Sequence, residues 1–228
     1  GRGLTTLHFD SWEMSSQNWS SKFREDFRER RGYDPVRFLP AFSGYIVDSP
    51  EISERFLWDI RQTAQELVVE NQVQRLRNLG QQHGLQLSLE PYDLNPCGDA
   101  KLGSIADVPM GEFWSKGWAV DTDFSVVEAT SLGHTLGRTI IGSEAFTAST
   151  DEKWQQYPGS MKAQSDWALC AGVNRFVFHR YQSQPWMDRF PGMTMGPDGG
   201  YGVHWERTQT WWDMVGPYHL YLSRCQQM

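Results

Sequence analysis

Four glutamates, Glu13, Glu90, Glu112 and Glu144, each follow a short apolar run and stand beside aromatic residues: Trp12, Tyr92, Phe113 with Trp114, and Phe146. A single carboxylate after such a run is most often a solvated loop residue or a helix cap. Four at equivalent positions point to acid–base work, because carboxyls in unlike surroundings can divide the roles of proton donor and proton acceptor. Aromatic neighbours add flat apolar area and exclude water. Acetal cleavage needs this combination: an acid protonates the leaving oxygen, and a second carboxylate serves as base or nucleophile.

These glutamates can act together only if the fold gathers them. Short apolar runs alternate with helical patterns along the chain, the signature of βα units and a mainly parallel sheet. Strands are expected at Leu4 to Phe9, Leu85 to Glu90, Ile105 to Glu112, Thr139 to Glu144 and Val173 to His179, the first four each ending at or near a carboxylate. Helices are expected from Ser20, with serine capping and Phe23 and Phe27 on the buried stripe, and through Val126 to Leu136, Ser160 to Cys170 and Tyr218 to Cys225. The strongest helix signal is Ser49-Pro50-Glu51, a serine N-cap followed by proline at the first helical position. Its apolar spacing continues to about Gly80 or His83, roughly 45 Å of helix, so a break within it is allowed for. In parallel α/β folds the strand C-termini share one face, which would bring the four glutamates together.

The chain has 228 residues, 39% hydrophobic and 21% charged, enough for a core of ordinary size. Its net charge of -7 argues against a nucleic-acid partner, since phosphate backbones demand a basic stripe. No apolar run approaches the roughly 20 residues of a membrane helix. Three cysteines, Cys97, Cys170 and Cys225, lack disulfide or zinc-knuckle spacing. The surplus of aromatic residues, 14% with 11 Trp, exceeds what core filling requires, and a sugar-binding surface is one explanation for it.

Longer motifs bring a family into view. Asp10-Ser11-Trp12-Glu13, Arg30-Arg31-Gly32-Tyr33-Asp34, Glu54-Arg55-Phe56-Leu57-Trp58-Asp59 and Ala106 to Trp114 closely resemble glycoside hydrolase family 106, the α-L-rhamnosidases. The resemblance continues through Gly142 to Thr147, Gly172 to His179, Gln184-Pro185-Trp186, Pro191 to Pro197 and Arg207 to Trp212. It implies an α/β fold, a partial (β/α)8 barrel of about strands four to eight, with 1–228 forming an incomplete catalytic domain of a longer multidomain enzyme. Both ends read as cut, the missing parts being the N-terminal barrel half and accessory domains. The implied activity is inverting hydrolysis of terminal α-L-rhamnosyl linkages in a secreted or periplasmic enzyme, with a carbohydrate substrate and a calcium ion near the sugar hydroxyls. By motif position the catalytic residues are Glu144, expected to be the base, with Glu112 or Glu13 as the acid. Two alternatives stay open: a retaining barrel glycosidase with Glu13 as acid and Glu144 as nucleophile, and an inactive carbohydrate-binding piece.

Substrate-binding candidates are Glu90, His179, Trp114, Trp186 and Tyr181. For calcium, oxygen donors are chemically suitable, and Asp10, Glu13, Asp93, Asn95, Asp99 and Asp107 qualify without singling out a set. His8, inside the first strand, reads as a buried core histidine. Trp211 and Trp212 read as packing on the barrel exterior or a neighbouring domain, and the stretch Pro191 to Gly202 as a long loop covering the sugar.

Overall fold

A computed structural model describes residues 3–13, 19–92, 97–116, 123–189 and 203–227. In chain order the described elements are β1 (Thr6–Phe9), α1 (Phe23–Arg31), a 3-10 segment (Pro35–Ser43), α2 (Pro50–Val68) and α3 (Gln74–Gln82), followed by β2 (Gln86–Leu89) and α4 (Asp99–Gly103). Then come β3 (Val108–Lys116), α5 (Asp123–Leu136), β4 (Gly142–Ala148), α6 (Pro158–Cys170), β5 (Arg175–Phe178) and α7 (Gly216–Cys225). The five strands lie in the order β1-β2-β3-β4-β5, with parallel pairing from β2 through β5. Each strand neighbours the next in sequence without reversal, as in a (β/α)8 barrel and unlike a doubly wound sheet, so the fold is the expected partial barrel.

The chain divides into two compact units, 1–87 with 91–106, and 88–90 with 107–228. In the first, Phe23 and Phe27 of α1 pack with Phe56, Ile60 and Ala64 of α2 and with Ala41. Tyr33 meets Phe27 edge-on at 5.0 Å. The caps explain the helix ends. Ser49 accepts from the Ile52 amide and Pro50 opens α2 as expected, whereas α1 starts at Phe23 with no side-chain cap: the Ser20 contribution is its backbone carbonyl. The long helix pattern is continuous but not uniform, because a π-helical turn over Val69–Val73 separates α2 from α3. Within that turn Glu70 accepts both terminal nitrogens of Arg30, at 3.0 and 2.6 Å.

In the second unit the helices cover one face of the sheet. Phe113 of β3 and Ala145 and Phe146 of β4 are wholly buried with Val126 of α5, Met161 of α6 and Leu222 of α7. Trp205 and Trp211 belong to this core. The Trp211–Trp212 pair thus packs within the unit: Trp211 is buried against Trp205, and Trp212 lies beside His219 of α7.

Two expectations about strand ends need correction. Glu112 and Glu144 lie inside β3 and β4, not at their ends, because Phe113-Trp114-Ser115 and Ala145-Phe146-Thr147 carry the strands onward. Aromatic and β-branched residues favour extended backbone, so the carboxylates do not stop the ladder. The extension is irregular: the register shifts after Phe113 and again after Trp114, and Phe146 takes a φ of 64°. A bulge of this kind re-aims side chains. His8 is exposed on β1, flanked by the partly buried Leu7 and Phe9, so its expected burial does not hold.

Candidate active site

Glu112 and Glu144 are direct register partners on neighbouring parallel strands, and Val177 continues the row on β5. Side chains alternate along a strand. Since Phe113, Ala145 and Phe178 meet the helix-side core, Glu112 and Glu144 share the opposite face, and both are half-buried there.

Local contacts hold this pair in place. Ser125, buried at the start of α5, accepts the Glu112 amide at 2.8 Å and donates its hydroxyl to the Glu112 carbonyl at 3.0 Å. Such close approach is possible because residue 111 is glycine: a Cβ there would lie 2.6 Å from the Ser125 carbonyl oxygen and the Val126 nitrogen. The carboxyls themselves are oriented from further along their strands. Trp114 donates its indole Nε1–H to Glu112 Oε1 at 2.5 Å, and Thr147 donates its hydroxyl to Glu144 Oε1 at 2.6 Å. Both carboxyls therefore lean toward the C-terminal ends of the strands, the face on which barrel enzymes build their sites.

The other expected residues are placed as follows. Trp114 is buried, so it serves Glu112 through its indole nitrogen and is not an open stacking surface. Glu90 follows β2 and is 1% exposed. His179 follows β5, with its amide on the Ala145 carbonyl at 3.1 Å, which ties it to the strand of Glu144. Tyr181 and Trp186, 69% and 58% exposed, present open rings, as a sugar platform requires. In the first unit Glu13 is exposed and accepts the Ser11 hydroxyl at 2.6 Å, while Asp10 accepts the Ser11 amide at 3.0 Å. Asp93, Asn95 and the whole of the Pro191 to Gly202 stretch lie outside the described residues.

Calcium takes six to eight oxygen ligands. In the first unit the expected donors Asp10 and Glu13 both bond Ser11, through its amide and its hydroxyl, and an imidazole nitrogen of His8 lies within 4.8 Å of an Asp10 oxygen; these two carboxylates are part of such a set.

Sequence reasoning passed over Thr147 and Ser125, whose roles depend on the bulge in β4 and the packing of α5. It also passed over a buried polar group after β5. Arg180 and His204 pair through the backbone, and burial depresses the pKa of both, with the Arg180 charge further lowering His204.

Comparisons with known proteins agree with the partial-barrel fold. The solved structure of a rhamnosidase from Novosphingobium sp. PP1Y matches 99% of this chain with a TM-score of 0.81 at 28% identity, and the match takes up 22% of that chain. A curated protein of Formosa agariphila named "Putative beta-glucuronidase" is 37% identical over all 228 residues, which are 19% of its length. The chain thus spans about a fifth of the relatives it matches. The family profile described as alpha-L-rhamnosidase matches residues 1–228. The chain belongs to glycoside hydrolase family 106, the α-L-rhamnosidases.

Proposed function

We propose that this chain carries catalytic residues of an inverting α-L-rhamnosidase, with Glu144 as general base and Glu112 as general acid. The observation that carries the reading is the register pairing of Glu112 with Glu144, each carboxyl held by a donor from its own strand, Trp114 or Thr147. In the proposed reaction Glu112 protonates the glycosidic oxygen as the bond to the anomeric carbon breaks. Glu144 takes a proton from the water that attacks the opposite face, and the two charges exchange between the carboxyls. Trp114 and Thr147 fix the carboxyl rotamers, so little reorganisation is needed when the sugar binds.

Glu13 remains the alternative acid, supported by its motif position. Tyr181 and Trp186 are proposed to lie against the apolar face of a sugar, and Glu90 and His179 to accept or donate hydrogen bonds to hydroxyls. Secretion or export, and a calcium ion near the sugar, belong to the same proposal and rest on the family resemblance. The test is hydrolysis of an aryl α-L-rhamnoside by the full chain beside Glu144→Gln and Glu112→Gln. Activity that disappears in Glu144→Gln supports the assignment; activity that survives both substitutions removes it.

A further inference from the structure

The segment after β5 contains a cation that the proposed reaction does not use. Arg180 donates its amide to the Val203 carbonyl at 2.9 Å, and Trp205 donates its amide to the Arg180 carbonyl at 2.9 Å. This is the hydrogen-bond pattern of a parallel bridge between Arg180 and His204, whose side chains therefore emerge on one side of the ribbon. Guanidinium Nε and Nη2 of Arg180 and Nε2 of His204 are all buried and make no hydrogen bond. His204 is 2% exposed, with Trp154, from the loop after β4, edge-on to its ring at 5.6 Å.

Buried polar groups are nearly always paired, and leaving a charged one unpaired is costly. Among the described residues no carboxylate bonds to these nitrogens. Glu206, two residues beyond His204, is occupied by the amide and hydroxyl of Thr208; its charge acts on His204, and burial lowers the Arg180 pKa. The Nε/Nη2 edge is the fork with which arginine grips a carboxylate or sulfate through two parallel hydrogen bonds. His204, kept neutral by burial, adds one more donor in its Nε2–H tautomer. The position is next to the proposed chemistry, because His179 is bonded to Ala145, the residue after Glu144.

We propose that Arg180 and His204 form a subsite for an anionic group of the substrate, a uronic acid carboxylate or a sulfate ester, beside Glu144. The proposal rests on the glycosidase reading for the identity of the substrate, but the anion site itself can be tested without turnover.

Calorimetric titration of the full chain with sodium glucuronate, inorganic sulfate and glucose tests the site. The expected result is binding of an anion where glucose fails to bind, weakened about 10- to 100-fold by Arg180→Gln and partly restored by Arg180→Lys, which keeps charge but loses the fork. Glucuronate binding alone identifies a carboxylate, and sulfate binding alone a sulfate ester. No preference for either anion over glucose in the parent overturns the proposal whatever the variants do, and so does ordered water as the sole occupant of the Arg180 edge in crystals grown with both anions. Turnover of an aryl α-L-rhamnoside, an aryl uronide and a rhamnosyl uronate with its carboxyl-reduced twin then separates the two ideas. Anion binding with no turnover of any of them refutes the glycosidase reading and keeps the site; turnover of the neutral rhamnoside without anion binding does the reverse.

Discussion

Glu112 and Glu144 are register partners on adjacent parallel strands, and each carboxyl accepts a hydrogen bond from a residue further along its own strand. Two carboxyls so placed share one face while keeping separate partners, which lets one protonate and the other accept a proton. Replacing either by glutamine removes a proton-transfer group worth about 10² to 10⁴ in rate. Glu144→Gln should lose that much on every rhamnoside. Glu112→Gln should lose it on alkyl rhamnosides and much less on nitrophenyl rhamnosides, whose leaving group needs no proton. Steady-state kinetics on the two substrate types decides; equal losses on both for Glu112→Gln contradict its role as the acid.

On the proposed reading Trp114 acts through Glu112, whose carboxyl accepts its indole N–H. Trp114→Phe keeps the aromatic volume in a buried position and removes the indole donor. A hydrogen bond to a charged group contributes about 1.5–3 kcal/mol, so kcat should fall about 10- to 100-fold with KM nearly unchanged, and the basic limb of the pH–rate profile, set by loss of the proton from the acid Glu112, should move to higher pH. A loss in thermal stability with an unchanged pH profile would reduce Trp114 to a packing residue.

Gly111 is required by the closeness of β3 and α5. Gly111→Ala should destabilise the protein by about 1–3 kcal/mol, since the added carbon meets backbone atoms that cannot rotate away. Denaturant titration of the folded chain measures it. Gly137→Ala is a contrasting control: its Cβ meets nothing within 4 Å, so the cost there comes from a φ of 64° and not from crowding.

The first unit should lose stability in acid. Burial pushes the Glu66 carboxyl up, but hydrogen bonds from Arg31 and Arg30 outweigh it and hold the group below the usual glutamate range; Arg30 does the same for Glu70. A depressed carboxylate stabilises the fold above its unfolded pKa, and that contribution disappears as pH falls through the folded value. Denaturation midpoints should therefore decline below about pH 4.5, and Arg30→Gln should flatten the decline. The pairs are partly exposed, so the effect is modest and weaker in high salt.

The order of strands and helices was legible because apolar period and punctuation are local. Ser49-Pro50 marks a helix start and Gly84, at a φ of 70°, a helix stop, wherever the rest of the chain goes. The glutamate pair was legible by motif, yet its setting was not. The continuation of β3 and β4 past Glu112 and Glu144 depends on pairing between strands, and the bulge at Phe146 that turns Thr147 toward Glu144 has no local signal. Arg180 and His204 are 24 positions apart in sequence, and only the backbone bridge after β5 makes them neighbours. The length of the second helix pattern allowed for a break, but the place and π-helical form of the turn between α2 and α3 had no local signal, because its apolar spacing differs little from that of an α-helix.

Inversion at the anomeric carbon is the central claim, and the anomer first released tests it most directly. Proton NMR of an aryl α-L-rhamnoside during the first turnovers of the full chain should show β-L-rhamnose, later equilibrating with the α form. First appearance of α-L-rhamnose would mean retention, with Glu144 a nucleophile and not a base.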